Sequence, residues 1–380
     1  MNEQKEMTVL NISVGADAER SSNISTNNSI TDDGEDFNSA RKNFIEMNRE
    51  LRYISDPYYI RTVSMSELYD TVYQSKPPLI DSLLYPGVYL FAGAPKIGKS
   101  FLMAQLAYHI STGAQLWDYP VHKSTVLYLA LEDDYRRLQG RLYRMFGAES
   151  VENLFFSVSV NSLSGGLNQQ LKGFITRNPD TRLIIIDTLQ KIREAEGEKY
   201  SYANDYQIIS SLKEFADNNG VCLLLVHHTR KQQAEDKFDM ISGTNGLLGA
   251  ADGAFLLQKE KRTSNTATLE ISGRDQQDQK LYLVRNQEKL IWEFERSETE
   301  LWKEPPDLML EKISQLLDNE QSEWSGSASE LAVLVSEDLQ PNILTRKLNV
   351  KAGRLMNEYG IEYTARHTRN GSYICLKRKM

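Results

Sequence analysis

Cysteine is nearly absent, with two in 380 residues. Cys222 lies inside the apolar run VCLLLV and Cys375 inside SYICLKR. Both read as small core hydrophobes, which sets aside a disulfide framework or a thiolate metal cluster and fits a reducing cytoplasm. No apolar run approaches the length of a bilayer span, and the first thirty residues are polar and acidic, which argues against a membrane segment or a signal sequence. Positive charge is not in surplus: 44 Lys and Arg against 52 Asp and Glu leave a net charge of -8. The whole-chain balance therefore does not advertise nucleic acid, and any such role must rest on where the cations lie. Internal repeats are also missing. A hydrophobic content of 40% and a charged content of 25% are those of a soluble globular protein. The length implies a large core domain with an appendage or two.

The stretch GAPKIGKS, Gly93 to Ser100, fits G-x-x-x-x-G-K-[ST] and follows the apolar run VYLFA. A phosphate-binding turn needs consecutive N–H groups pointing inward and no bulky Cβ where the chain bends tightly, which Gly93 and Gly98 provide. Gly93, Ala94, Pro95, Lys96, Ile97, Gly98, Lys99, Ser100 and Phe101 form the candidate nucleotide-binding segment. Lys99 would reach the β- and γ-phosphates and Ser100 would ligate Mg²⁺, with the positive end of the following helix aimed at the anion.

Residues 1–38 are rich in Ser, Asn, Asp and Thr with few large apolar groups and are expected to form a disordered acidic tail. Residues 39–76 carry helical spacing and read as a helical lead-in, with SMSELYDTVYQ offering a Ser-x-x-Glu-like helix start. Across 77–300, short strand-like runs (VYLFAG, STVLYLALE, LFFSV, RLIIIDT, VCLLLVHH, GAFLLQK, ATLEISG, KLYLVRN) alternate with longer helical ones. That order predicts an α/β core with a mostly parallel sheet ending in hairpin-like strands. After the Pro-Pro break in KEPPDLM, residues 307–380 show three helical patterns and then IEYTARHT and SYICLKRK around Asn370-Gly371, a hairpin signal. Three helices with a two-stranded wing give a winged-helix-like α+β domain. Its cations, among them Arg346, Lys347, Lys351, Arg354, Arg366, Arg369 and Lys377, are either a solvated face or a nucleic-acid surface.

Two further motifs complete a nucleotide site. LIIIDT places Asp187 after a buried strand, where a carboxylate would hold Mg²⁺ through water. VLYLALEDD ends a strand at Glu132, the candidate for the residue that activates water, with Asp133 left open as the alternative. In VHHTR a strand stops at His227 and His228. Adjacent strand residues point to opposite faces and no third ligand lies nearby, so a metal pair is disfavoured. A γ-phosphate sensor is one reading and plain strand-end histidines the other.

In this order and at these spacings, GAPKIGKS, VLYLALEDD, LIIIDT and VHHTRK resemble the RecA-fold ATPases of the RepA-like branch, the hexameric replicative helicases of plasmids and mobile elements. The resemblance covers about residues 77–295. It implies a RecA-like P-loop NTPase core, ATP and Mg²⁺ as cofactors, and a homo-oligomeric ring, a hexamer, with single-stranded DNA in its channel. It also implies Glu132 as catalytic carboxylate, a histidine of VHHTR as sensor, and Arg274 in ISGRDQQ as a finger delivered in trans, with Lys259, Lys261 and Arg262 as substitutes. Channel-lining cations would be Lys191, Arg193 and Lys199 in one loop and Arg230, Lys231 and Lys237 in another. The chain departs from chromosomal replicative helicases in showing no N-terminal collar and in carrying the C-terminal addition. The expectation is an ATP-driven DNA helicase or translocase with an initiator or primase as possible partner. An ATP-switched duplex-binding regulator is the alternative, and a small-molecule kinase ranks last.

Overall fold

The computed structural model describes residues 44–379 apart from 50, 53–54, 74–75, 194–201, 230–236, 242–244, 303, 318–321, 336–338 and 369–370. The tail expected over 1–38 lies outside the described residues. Of the lead-in, residues 44–49 and Met65–Asp70 (α1) are helical, the latter closed at its N-terminus by a Ser64/Glu67 capping box.

One sheet of nine strands organises the core. Its strands are β1 (Gly87–Gly93), β2 (Thr125–Ala130), β3 (Leu154–Ser157), β4 (Thr181–Asp187), β5 (Cys222–His228), β6 (Gly253–Gln258), β7 (Thr266–Gly273), β8 (Gln279–Arg285) and β9 (Trp292–Ser297), in the order β3-β2-β4-β5-β1-β6-β7-β8-β9. The first six are parallel neighbours and the last four form an antiparallel meander. Between the strands run α2 (Lys99–Thr112), α3 (Tyr135–Phe146), α4 (Leu167–Arg177), α5 (Tyr202–Asn219) and α6 (Asn245–Ala250). Every residue of β1 and β2 is buried, as expected of parallel strands covered on both faces, whereas β7 and β8 alternate buried and half-exposed. Apolar layers on the two faces make the core, with Tyr89, Phe91, Tyr128 and Trp292 fully enclosed. Each such side chain contributes about 1.5–3 kcal/mol. The expected α/β core is present with the RecA-like arrangement: the strand leading into the phosphate loop is separated by one strand, β5, from the strand ending in Asp187.

The C-terminal unit contains α7 (Leu308–Leu316), β10 (Glu323–Ser327), α8 (Ala328–Val335), α9 (Pro341–Tyr359), β11 (Ile361–Thr368) and β12 (Gly371–Arg378), around a separate core. The three helices are there, but the two-stranded wing is corrected to a three-stranded antiparallel sheet, because EWSGS adds β10 to the edge of β12. Asn370 lies outside the described residues. The lead-in joins this unit: Arg346 pairs with Asp70 at 2.9 Å and donates to Ser66, Asn349 donates to the Tyr69 carbonyl, and Val72 packs on the unit's core.

Candidate nucleotide site

β1 runs straight into GAPKIGKS, and α2 starts at Lys99 behind Gly98, whose φ of 106° lies in the left-handed region that favours glycine. Parallel registry brings the other strand ends to the same edge: Gly93 pairs with His228, and Ala130 with Asp187. Lys99, His228, Asp187, Ser100 and Glu132 are thereby assembled around the loop.

Lys99 is buried and its Nζ donates to the Gly93 and Ala94 carbonyls at 2.8 and 3.1 Å and lies 3.2 Å from His228 Nδ1. Burial brings its ammonium down to about 8, against the pull of Asp187 and Glu132. Burial and the nearby Lys99 charge also lower His228, favouring neutral imidazole. An ammonium only donates, so Nδ1 must accept and the ring proton sits on Nε2, leaving a donor for an anion. His227, the neighbour of His228 in β5, is buried.

Asp187 is buried at the end of β4, accepting from the Tyr128 hydroxyl at 2.9 Å and hydrogen-bonded to the Ser100 hydroxyl. Burial raises its carboxyl while those two hydrogen bonds oppose the rise. The Ser100 hydroxyl and the Asp187 carboxylate are hard oxygen donors. No cluster of three metal-ligating side chains exists among the described residues. One or two protein oxygens plus phosphate is the usual arrangement for Mg²⁺, so the donors fit that ion.

Glu132 accepts from Thr188 Oγ1 at 3.1 Å, next to Asp187. Asp133 is turned away into an ion pair with Arg141 at 2.7 Å, and Asp134 caps α3 through the Arg137 N–H.

Sequence reasoning missed one corner of the site. Trp292, at the start of β9, is clamped to α2 by Gln105, whose amide donates to the Trp292 carbonyl and accepts from its N–H, both at 2.8 Å. Arg285 lies 4.3 Å from the centre of the Phe101 ring and 5.5 Å from that of Trp292. No motif announces this corner, because its members are far apart in the chain, Gln105 and Trp292 by 187 residues.

Arg274 is not at this edge. It follows β7, whose end pairs with Gly253 at the far end of the sheet. There it donates to the Gly249 carbonyl and stands 4.0 Å from Asp252, itself bonded to Lys213 and to the Val88 N–H. A cleft of about 410 Å³ lined by Tyr206, Ser210, Lys213, Glu214 and Arg274 opens at this edge. The length of β1, at about 3.3 Å per residue, keeps Arg274 from the loop of the same chain. Lys259, Lys261 and Arg262 follow β6 on the loop's own side, and Lys259 is spent on the Ser264 carbonyl.

Of the expected nucleic-acid cations, Lys191 is exposed just after Asp187, whereas Arg193 is packed against Asp205 at 3.0 Å and is not presented to a channel. Lys199, Arg230, Lys231 and Arg369 lie outside the described residues, and Lys237 pairs with Glu270. In the C-terminal unit Lys351 pairs with Asp307, and Arg354 with Glu304 and Glu358. Lys377 pairs with Glu323 and Lys379 with Glu362. Lys347 stays exposed. These pairs hold Lys351, Arg354, Lys377 and Lys379 against acids of the protein, which argues against a nucleic-acid surface at Lys351 and Arg354.

Residues 55–234 match the family AAA_25, described as AAA domain, a little under half of the chain. No curated protein sequence matches the chain. Among solved structures, one described as an ATPase domain is similar at 18% identity with a TM-score of 0.46, over 55% of this chain and 84% of that one. A DnaB-like replicative helicase, described with its interactions with primase, is similar at 18% identity with a TM-score of 0.45, over 55% of this chain. The match spans 57% of that helicase's length.

Proposed function

We propose that the chain is an ATP-hydrolysing motor of the helicase or translocase type that works on single-stranded DNA as a homo-oligomeric ring, a hexamer. The observation that carries this reading is the division of the catalytic groups between opposite sheet edges. Lys99, His228, Asp187 and Glu132 converge on the loop, whereas Arg274 sits beyond reach at the other edge. A finger so placed is out of reach of its own loop and is available only to a neighbour's site.

Glu132 takes the proton from the attacking water, and Thr188 holds its carboxylate in place. Lys99 leaves the Gly93 and Ala94 carbonyls for the β- and γ-phosphates. His228 Nε2–H donates to the terminal phosphate, and losing that acceptor frees the loop that follows β5 to move. Bound at Ser100 and Asp187, Mg²⁺ would neutralise the charge that develops on the phosphates. Lys191, together with Arg230 and Lys231, is assigned to the DNA-facing loops. Replication of a plasmid or mobile element, a cytoplasmic setting, and an initiator or primase partner belong to the same proposal. Among the described residues no helix is long and apolar enough to cross a membrane.

The test is steady-state ATP hydrolysis with and without single-stranded DNA, beside Lys99→Ala and Glu132→Gln. Single strands raise the rate several-fold, and both substitutions abolish it. A slow rate indifferent to single strands, with tight binding of one duplex sequence, would overturn the motor in favour of an ATP-set regulator read out through a winged helix in the C-terminal unit.

A further inference from the structure

Beside the phosphate loop lies a cationic corner that the groups above do not use. The Arg285 guanidinium packs on the loop itself: a Cβ built on Gly98 would stand 2.5 Å from Arg285 Nη1 and 3.1 Å from Trp292 Cζ2. Its planar group is shelved by Phe101 at 4.3 Å and Trp292 at 5.5 Å. The shelf is rigid, because Gln105 and the Trp117 indole both bind the Trp292 backbone.

What surrounds Arg285 is more of the same charge. Arg141 lies over Phe101 at 5.0 Å and Lys259 over Trp292 at 5.4 Å. Those neighbours have partners: Arg141 has Asp133, Arg144 has the Gln287 and Glu288 carbonyls, and Lys259 has the Ser264 carbonyl. Among the described residues no carboxylate or carbonyl accepts from the Arg285 side chain. Burial first, then Arg144 and Arg141, lower its affinity for its proton, the signature of a cation without a counter-charge. A half-buried guanidinium held flat, short of an anion and pressed against a phosphate loop is arranged to receive one.

We propose that Arg285 is a nucleotide-binding residue in cis, donating to the phosphate chain where it passes Gly98 and Phe101, with Phe101 and Trp292 setting the plane of its fork. The proposal rests on GAPKIGKS being a nucleotide loop and is independent of the motor reading. It assigns to β8 and β9 a direct part in holding the ligand.

Isothermal titration of the full chain with ADP and with inorganic triphosphate tests it, on wild type, Arg285→Met, which keeps the aliphatic stem, and Arg285→Lys, which keeps the charge. Arg285→Met weakens both ligands by about 10- to 100-fold, and Arg285→Lys recovers part of the loss. Unchanged affinities overturn the proposal. A loss confined to ADP overturns it in favour of a base contact. Equal losses in both variants with a matching fall in melting temperature overturn it in favour of packing alone. Wild type that binds neither ligand overturns it together with the loop assignment. If wild type binds ADP while its turnover ignores single strands, the motor reading falls and the Arg285 comparison still decides this one.

Discussion

Replacing His228 with Phe removes one nitrogen that accepts from Lys99 at 3.2 Å and another whose proton faces the place of the terminal phosphate. The two losses have separable consequences. Without its acceptor Lys99 still has the Gly93 and Ala94 carbonyls, at 2.8 and 3.1 Å, so the loop keeps its shape and the β-phosphate keeps its lysine. The Nε2–H donor is lost outright, and a hydrogen bond to a charged group contributes about 1.5–3 kcal/mol net. At about 1.4 kcal/mol per decade, His228→Phe should weaken a non-hydrolysable ATP analogue by about 10- to 150-fold while ADP changes less than about threefold. Calorimetric titration with both nucleotides measures this directly. On the sensor assignment DNA-stimulated turnover should fall further than binding, because a sensor also passes the loss of phosphate to the next loop. Equal weakening of ATP analogue and ADP would refute the sensor assignment and leave His228 as a prop for Lys99. His227→Phe is the control: that buried side chain belongs to the strand, so its replacement should lower the melting temperature without changing the ratio of the two affinities.

Two other outcomes follow from the same geometry. Arg274→Ala should abolish turnover with nucleotide affinity unchanged. Mixing it with the equally inactive Lys99→Ala protein should restore part of the activity, since one subunit then offers an intact loop and the next an intact finger; no recovery in mixtures would place Arg274 outside the neighbour's site. Nucleotide affinity should also depend on pH through Lys99, whose ammonium burial has brought down to about 8. Below that pH the lysine is already charged and affinity is flat. Above it, binding must take up a proton, so the dissociation constant should rise by up to about tenfold per pH unit until the pKa of the bound state is reached. A flat profile from pH 7 to 9.5 would contradict the burial argument.

Much of the nucleotide site was legible in the sequence because its members stand on a pattern that leaves few alternatives. A parallel strand buried on both faces must be a continuous apolar run, and the first polar residue after it emerges at the sheet edge. VYLFAG, LYLALE, LIIID and LLLVHH thus announce both their strands and the positions of Lys99, Glu132, Asp187 and the histidines. Which histidine faces the loop was not legible, since the choice depends on the register of β5 against β1, which pairs Gly93 with His228. The short strand β10 was missed for a related reason: EWSGS is polar, and it is a strand only because β12 lies beside it.

Charge was misleading in a more instructive way. The C-terminal run from Thr345 onward reads as basic because four of the acids that pair with it lie elsewhere in the chain. Asp70 comes from the lead-in, Glu304 and Asp307 from the connection before α7, and Glu323 from β10. A local count finds the cations and cannot see partners up to 276 residues away. Arg285 is the converse case. In LYLVRN it is one arginine at the end of a strand, and nothing local marks it. The fold places it among Arg141, Arg144 and Lys259 without an acid, against a loop built for phosphate. The sign of a patch is set by tertiary pairing. A cationic site is therefore better sought among cations that folding leaves without an anion than among those crowded together along the chain.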